Sequence, residues 1–251
     1  MNRLFSKQIC GWLLCGFLLL MVSACASRKP PWRFQYTKQY LEVSEKGWWY
    51  ATFRINWPEN TPPSMYIDVC LAHQVLLPIL NDQKDNLILW RFHRRAARDQ
   101  AGHQLSLIFY ASPETANQIF DSLSEDSLLT EMQDTGVIIH ISYDDTTTIT
   151  KPNIEDTSDP NWSPEIQKSW PYFIMGVCQM WLTSIREIAE NTPPERNPSS
   201  LQDMLPFYQG IDEALRKLWQ EEGRHSLLHH LNAIFGYQPV KLNRGDILFQ
   251  F

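Results

Sequence analysis

Apolar residues in the first half of the chain follow the period of a strand and then that of a helix. From Trp48 to Trp57 one set of alternate positions is apolar throughout, which is typical of a strand with one buried face. Over residues 64–80 the apolar positions change to helical spacing, and Pro78 is expected to distort the last turn. The residues predicted to face the core are Trp49, Ala51, Phe53, Ile55, Trp57, Ile67, Leu71, Val75 and Ile79.

A β-hairpin and a second helix are predicted next. Two β-rich runs, Leu87–His93 and His103–Tyr110, are joined by a polar connection that contains Gly102, and this pattern is typical of two antiparallel strands. Ser112 and Pro113 then supply an N-cap and a first helical residue. The chain is therefore expected to leave the hairpin directly into a helix.

Another helical segment and a strand complete the first half of the chain. The segment runs from Asp126 to Gln133 and ends near Gly136, and Val137–Tyr143 alternates as a fourth strand. The order strand, helix, strand, strand, helix, strand is that of a ferredoxin-like unit. We therefore predict an α+β fold over residues 32–143: a four-stranded antiparallel sheet with helices on one face and the other face open.

The second half of the chain is predicted to be helical. It follows a polar, acidic connection over residues 144–162, which we expect to be a solvated linker. Helices are predicted from Pro171 to Glu190, from Ser200 to Gly223 and from Ser226 to Gly236. Because residues 163–251 are too apolar to stand alone, we expect them to pack against the sheet portion, over its open face. Alternation at the end of the chain predicts an added edge strand containing Ile247, Phe249 and Phe251.

The first 25 residues have the features of an export signal. Arg3 and Lys7 precede an apolar run from Ile9 to Val22, and small residues lead from that run to Cys25. The segment Val22-Ser23-Ala24-Cys25 resembles the lipobox of bacterial lipoproteins. The resemblance implies removal of residues 1–24 and a diacyl anchor on the Cys25 thiol. The alternatives are an uncleaved N-terminal anchor and an ordinary secretory peptide in which Cys25 has no role.

The same resemblance suggests a location. In proteobacterial lipoproteins an aspartate after the lipidated cysteine directs retention in the inner membrane, and this chain has Ala26 there. The resemblance therefore implies the outer membrane, with the domain facing the periplasm. Residues 25–31 form a tether that reaches at most roughly 20 Å, because an extended residue spans about 3.3 to 3.6 Å. Two prolines, Pro30 and Pro31, stiffen it further. We expect a domain that works close to its membrane.

Charge and cysteine content restrict the picture further. The formal net charge is −6, and loss of Arg3 and Lys7 with the signal makes it more negative. A general nucleic-acid binder needs a broad basic face, so we expect no nucleic-acid partner. Of the cysteines that would remain beside the lipidated one, Cys70 and Cys178 could pair in an oxidising compartment. Two buried free thiols are an equally ordinary outcome.

A basic hairpin is the sharpest local anomaly in this acidic chain. Guanidinium groups bind carboxylate and phosphate groups in a bidentate manner, so the hairpin is a candidate site for an anion or an acidic partner. We expect His93 and His103 to lie close together at its end. The alternative is a solvated hairpin whose arginines pair with local acids such as Asp99. The candidate residues are Arg91, His93, Arg94, Arg95, Arg98 and His103.

Aromatic residues form a second candidate surface. On the presumed open sheet face they could stack on sugar rings or anchor a protein interface. The competing interpretation is that the C-terminal helices bury them as ordinary core. The candidate residues are Trp48, Tyr50, Arg54 and Tyr110, with His140 on a neighbouring strand.

Strong catalytic signatures are absent from the sequence. It contains no Gly-x-Ser-x-Gly, His-Glu-x-x-His, P-loop, dinucleotide or Cys-x-x-Cys motif. His225 and His229 have the i, i+4 spacing of a metal pair, and His230 follows them, but a polar helix face is the preferred interpretation. We therefore assign no catalytic residue, cofactor or metal.

Three functions remain open. The first is a membrane-anchored, non-catalytic interaction or assembly component of a bacterial envelope complex, with an envelope protein as partner. The second is a binding protein for an anionic lipid or glycan. The third is an envelope hydrolase without a recognisable motif. The first is preferred because the anchor and the short tether are positive features of the sequence, whereas nothing in it points to catalysis.

Overall fold

Four antiparallel strands form the central sheet. In the computed structural model, which describes residues 45–192, 200–242 and 245–247, they are β1 (Gly47–Ile55), β2 (Leu89–Ala96), β3 (His103–Ala111) and β4 (Ile138–Tyr143). The strand order is β2-β3-β1-β4, and every neighbouring pair is antiparallel. This is the ferredoxin-like arrangement, so the predicted α+β fold is confirmed. The signal, the tether and Cys25 lie outside the described residues.

The helices between the strands begin where the sequence places their caps. The Ser112 side chain accepts a hydrogen bond from the backbone N–H of Thr115 at 3.2 Å, and Asp126 accepts one from that of Leu129 at 2.8 Å. The irregular turn lies before Pro78 as a π-helical turn, and the last turn, which was expected to be distorted, is regular α-helix with Pro78 near its start, where a missing N–H is tolerated. The elements are α1 (Met65–Leu71), the π-helical turn (Ala72–Leu76), α2 (Leu77–Asp82), α3 (Pro113–Ser124) and α4 (Ser127–Asp134).

The second half is mainly helical, with bounds that differ from the prediction at two places. The first long helix starts at Pro164, where Ser163 caps it, rather than at Pro171. No helix starts at Ser226, because the preceding helix continues through a π-helical turn. The elements are a 3-10 turn (Ile154–Thr157), α5 (Pro164–Asn191), α6 (Leu201–Gly223), the π-helical turn (Arg224–His229), α7 (His230–Ile234), β5 (Val240–Leu242) and β6 (Gly245–Ile247).

Residues 245–247 do not add an edge strand to the central sheet. Strand β6 pairs with β5 in a separate two-stranded sheet, in which Ile247 lies opposite Val240. Phe249 and Phe251 lie outside the described residues. Among the described residues no helix is both long and apolar enough to cross a membrane.

One face of the sheet carries the main core. Trp49, Ala51, Phe53 and Ile55 are all at most 2% exposed, as the alternation of β1 predicts, whereas Trp57 lies beyond the end of that strand. Helices α1 and α3 cover this face. Helix α6 packs on α1, and α5 packs along the edge strand β2, so the C-terminal helices do pack on the sheet portion.

The opposite face is covered at one end, and the polar connection contributes to that cover. The indole N–H of Trp48 is 3.0 Å from the backbone oxygens of both Asn153 and Ile154, and the Tyr110 hydroxyl donates to the Pro152 oxygen at 2.6 Å. Met175 of α5 packs at the same place. The connection therefore contacts the sheet as well as solvent, and the C-terminal helices cover this face only in part. A polar segment can cover these aromatic side chains because its backbone carbonyls accept their N–H and O–H hydrogen bonds.

Both described cysteines are buried free thiols, so no disulfide joins Cys70 to Cys178. The Cys70 sulfur lies 3.7 Å from that of Met204, and the Cys178 sulfur lies 3.2 Å from the backbone nitrogen of Phe92. Burial raises the pKa of the Cys70 thiol to about 12 and raises the pKa of Cys178 as well. Both thiols are therefore neutral near neutral pH.

Alkylation is expected to distinguish the native from the unfolded chain at these two positions. Iodoacetamide at pH 8 should leave Cys70 and Cys178 unmodified over minutes, because the thiolate is the reactive form and both side chains are inaccessible. In guanidinium without reductant both should react. Peptide mass spectrometry reads each position separately. A disulfide-linked peptide, or rapid native labelling, would contradict the structure.

Candidate anion-binding face

The face of the sheet opposite the main core carries a group of basic side chains. Alternation along β2 places Arg91, His93 and Arg95 on this face, and alternation along β1 places Arg54 there. His140 of β4 is paired with Arg54. We call these five residues the basic face.

The strand register sets the layout of the basic face. Arg95, Gln104, Arg54 and His140 follow one another across β2, β3, β1 and β4. The next row consists of His93, Ser106, Thr52 and Ser142, and the Thr52 and Ser106 hydroxyl oxygens are 3.1 Å apart. The row after that contains Arg91, Ile108 and Tyr50. The face therefore offers guanidinium, imidazole and hydroxyl groups in a regular array.

The local electrostatic potential of this face is positive. None of the described strand residues that point to it is acidic. His93 lies between two arginines, and its pKa is lowered by partial burial first and by the charges of Arg91 and Arg95 second. Asp99 pairs with Arg95, and Asp144 accepts a hydrogen bond from the Tyr50 backbone N–H at 3.1 Å and interacts electrostatically with Lys151. An approaching anion would meet an attractive field.

Two of the three arginines of the basic face lack an anionic partner in the part of the chain that the structure describes. Arg54 is half-buried and makes no hydrogen bond or ion pair there. Arg91 is only 9% exposed, its Nε has no hydrogen-bond partner, and its guanidinium stacks on the Trp170 ring at 4.9 Å. These donors are available for an external acceptor.

The structure divides the predicted basic hairpin between the two sides of the sheet. His93 is opposite Ser106 and His103 is opposite Ala96, so the two histidines face opposite ways and the expectation that they lie together was wrong. Successive residues of a strand point to opposite faces of the sheet, so the basic residues of the hairpin are divided between the two faces. Arg91, His93 and Arg95 stay together, whereas Arg94, Arg98 and His103 are used elsewhere.

Arg94 belongs to a buried ionic cluster. Its Nε lies 2.9 Å from Oδ2 of Asp68, a carboxylate that is 0% exposed, and its guanidinium also donates to the Met65 oxygen at 3.0 Å. His103 Nε2 is 3.1 Å from the other oxygen of Asp68. Asp212 of α6 approaches Arg94 at 4.0 Å. The cluster ties α1, β2, β3 and α6 together and leaves Arg94 and His103 unavailable to a partner.

Arg98 and the aromatic candidates also have structural partners. The Arg98 guanidinium covers the Trp57 ring at 3.5 Å and donates to the oxygens of Trp57, Pro58 and Thr61. Trp48 is 2% exposed and Tyr110 is 4% exposed, so both are buried and the candidate open aromatic surface does not include them. Within that predicted surface, Tyr50 and Arg54 remain half-buried on the sheet face.

The histidines of the second half stack on one another. The rings of His225 and His229 are 5.1 Å apart and close to parallel, and His230 packs on both. Among the described residues no three His, Cys, Asp or Glu side chains are placed to hold a metal ion.

Two charged residues that matter for this region were not identified from the sequence. Asp68, the centre of the buried cluster, was not singled out, although a lone carboxylate beside Ile67 and Val69 in an apolar helix is a visible signal. Lys151 was placed in the solvated linker, but its ammonium lies 4.1 Å from the centre of the Tyr50 ring. Its position could not be derived locally, because it depends on how the connection folds over the sheet.

Comparison with known proteins adds no assignment. A scan against protein-family models finds no match, and a search of curated proteins finds none either.

Proposed function

We propose that this protein is a lipid-anchored component of a bacterial envelope complex that binds an acidic partner protein through the basic face. In this proposal Cys25 carries the lipid, the domain faces the periplasm from the outer membrane, and the protein is not an enzyme. The lipobox-like end of the signal and the short tether support the location.

The observation that carries the proposal is the basic face itself. In a chain with a net charge of −6, three arginines and two histidines share one face of the sheet, with no acidic strand residue among them. Two of those arginines have no anionic partner among the described residues. Electrostatic complementarity of this kind fixes the orientation of a partner and excludes partners of like charge.

Site-specific crosslinking in intact cells tests the proposal. A photo-crosslinking amino acid at His93 should yield one defined protein adduct, and the same group at Gln118, exposed on α3 behind the sheet, should not yield it. The double reversal Arg54→Glu with Arg95→Glu should reduce the adduct at least tenfold, because like charges would then face the partner. The readout is adduct yield by immunoblot, with the partner identified by mass spectrometry.

A matched control separates a local effect from a change in net charge. Lys84→Glu with Lys217→Glu makes the same charge change at two exposed positions away from the basic face and should leave the adduct unchanged. Cys25→Ser should also reduce the adduct, because the domain would no longer be held near its membrane. If both reversals act equally, or if the adduct is lipid rather than protein, the proposed protein partner is wrong.

A further inference from the structure

Arg91 is a buried cation without a counter-ion among the described residues. It is 9% exposed, its Nε has no hydrogen-bond partner, and its guanidinium meets the Trp170 ring at 4.9 Å. A guanidinium carries five N–H donors and no acceptor, and it stays charged in proteins. Burial lowers the pKa of Arg91 but does not remove that charge.

Stacking on Trp170 satisfies only part of this guanidinium. The ring offers its negative face to the cation, but it supplies no carboxylate or carbonyl oxygen for the N–H donors. An unpaired buried charge is strongly unfavourable, so proteins that keep one generally use it. The N–H groups of a guanidinium form a planar fork that matches the two oxygens of a carboxylate.

The groups around Arg91 are suited to an anion. Tyr50 lies in the same row of the sheet, with the Lys151 ammonium 4.1 Å from its ring, and His93 is the next residue on this face of β2. Asp144, just after β4, accepts a hydrogen bond from the Tyr50 backbone N–H at 3.1 Å and interacts electrostatically with Lys151. Lys151 thus already has an acidic neighbour, whereas Arg91 has none among the described residues.

We infer that Arg91 is the specific contact of the basic face and binds a carboxylate of the partner, supplied by an aspartate or glutamate side chain. This inference rests on the proposed function and adds to it the chemical group and the residue that receives it. In the free protein the Arg91 guanidinium contacts the Trp170 ring. In the complex the partner's carboxylate forms an ion pair with this guanidinium.

Thermal unfolding in different anions tests the inference without the partner. The full-length chain, purified in detergent, is compared in sodium acetate and sodium chloride at equal ionic strength. Acetate at a saturating concentration should raise the unfolding midpoint by roughly 2 to 4 °C, because a ligand that binds only the native state stabilises it. The rise should vanish in Arg91→Met and persist in Arg186→Met, whose exposed guanidinium pairs with Glu187 on α5.

The Arg91 variant provides an internal check on folding. Because methionine keeps the apolar stem and removes an unpaired charge, Arg91→Met in chloride should unfold at the same temperature as the wild type or higher. Arg91→Lys keeps the charge but loses the planar fork, so its acetate shift should be smaller than that of the wild type. A large drop in the chloride midpoint of Arg91→Met would mean that Arg91 is structural, and would overturn the inference.

The remaining outcomes are also decisive. No acetate shift in the wild type, or a shift retained in Arg91→Met, overturns the carboxylate site. A shift with inorganic phosphate but not with acetate also overturns it, and would point to a phosphate group as the ligand. Loss of the His93 crosslink in the Arg54 and Arg95 double variant together with no acetate shift would leave the proposed function standing. An acetate shift without any protein crosslink would reject the proposed function.

Discussion

Replacing Arg94 with methionine is expected to lower the free energy of unfolding by about 3 to 5 kcal/mol, because it leaves the Asp68 carboxylate in the core with His103 as its one remaining side-chain partner. Asp68 is 0% exposed, so water cannot replace the guanidinium without opening the core. Methionine retains much of the apolar stem, which limits the loss of packing against Trp181. Urea denaturation followed by tryptophan fluorescence measures the change.

The neighbouring arginine provides the control for this experiment. Arg95→Met removes an exposed pair with Asp99 on the other face of the same strand, and it should change the free energy of unfolding by less than about 1 kcal/mol. The double replacement Asp68→Asn with Arg94→Met should recover part of the stability, because an amide is cheaper to bury than an unpaired charge. Equal decreases in the free energy of unfolding for Arg94→Met and Arg95→Met would show that the buried cluster contributes no more to stability than the exposed pair.

Replacing Trp48 with alanine is the second change with a large expected effect. The indole is 2% exposed, packs on Tyr110 at 5.4 Å and donates to the segment that covers this end of the sheet. Loss of a buried tryptophan costs about 3 to 5 kcal/mol through lost transfer energy and a cavity. The covering segment should also loosen, because the hydrogen bonds from the ring to Asn153 and Ile154 disappear.

Two measurements separate these consequences for Trp48→Ala. Urea denaturation gives the global loss of stability, and hydrogen exchange of residues 151–157 shows whether the covering segment opens more often. Trp219→Ala is the matched control, because that ring is 55% exposed and its loss should change stability by less than about 1 kcal/mol. Unchanged exchange in residues 151–157 of Trp48→Ala would mean that other contacts hold the segment.

The parts of the fold that could be predicted are those determined locally. The alternation of β1 and the cap at Ser112 are visible in the sequence, because strand period and N-cap chemistry depend only on nearby residues. The helix after Gly223 could not be predicted in this way. Ser226 looks like a start signal, but its hydroxyl donates to the Glu222 oxygen one turn earlier and so supports a helix that is already under way.

The sequence shows which basic residues the candidate site contains, but not which of them form ion pairs within the fold. All the arginines of the hairpin are visible in the sequence, and the period of two separates Arg94 from Arg91 and Arg95 once β2 is fixed. What the sequence could not show is which of them finds a counter-ion. Asp68 reaches Arg94 from a helix 26 residues away, whereas no acid reaches Arg91 among the described residues. Those pairings depend on tertiary packing.

The two faces of strand β2 are subject to different constraints on substitution. Phe92 and Arg94 point into the protein, where their side chains contact Trp181, Asp68 and Asp212, so a substitution at either position requires a compensating change at its contacts. Arg91, His93 and Arg95 point the other way, where a change alters what the protein recognises and disturbs little of its interior. A new partner specificity could therefore arise by substitutions at every second residue of one edge strand, with the fold itself left untouched.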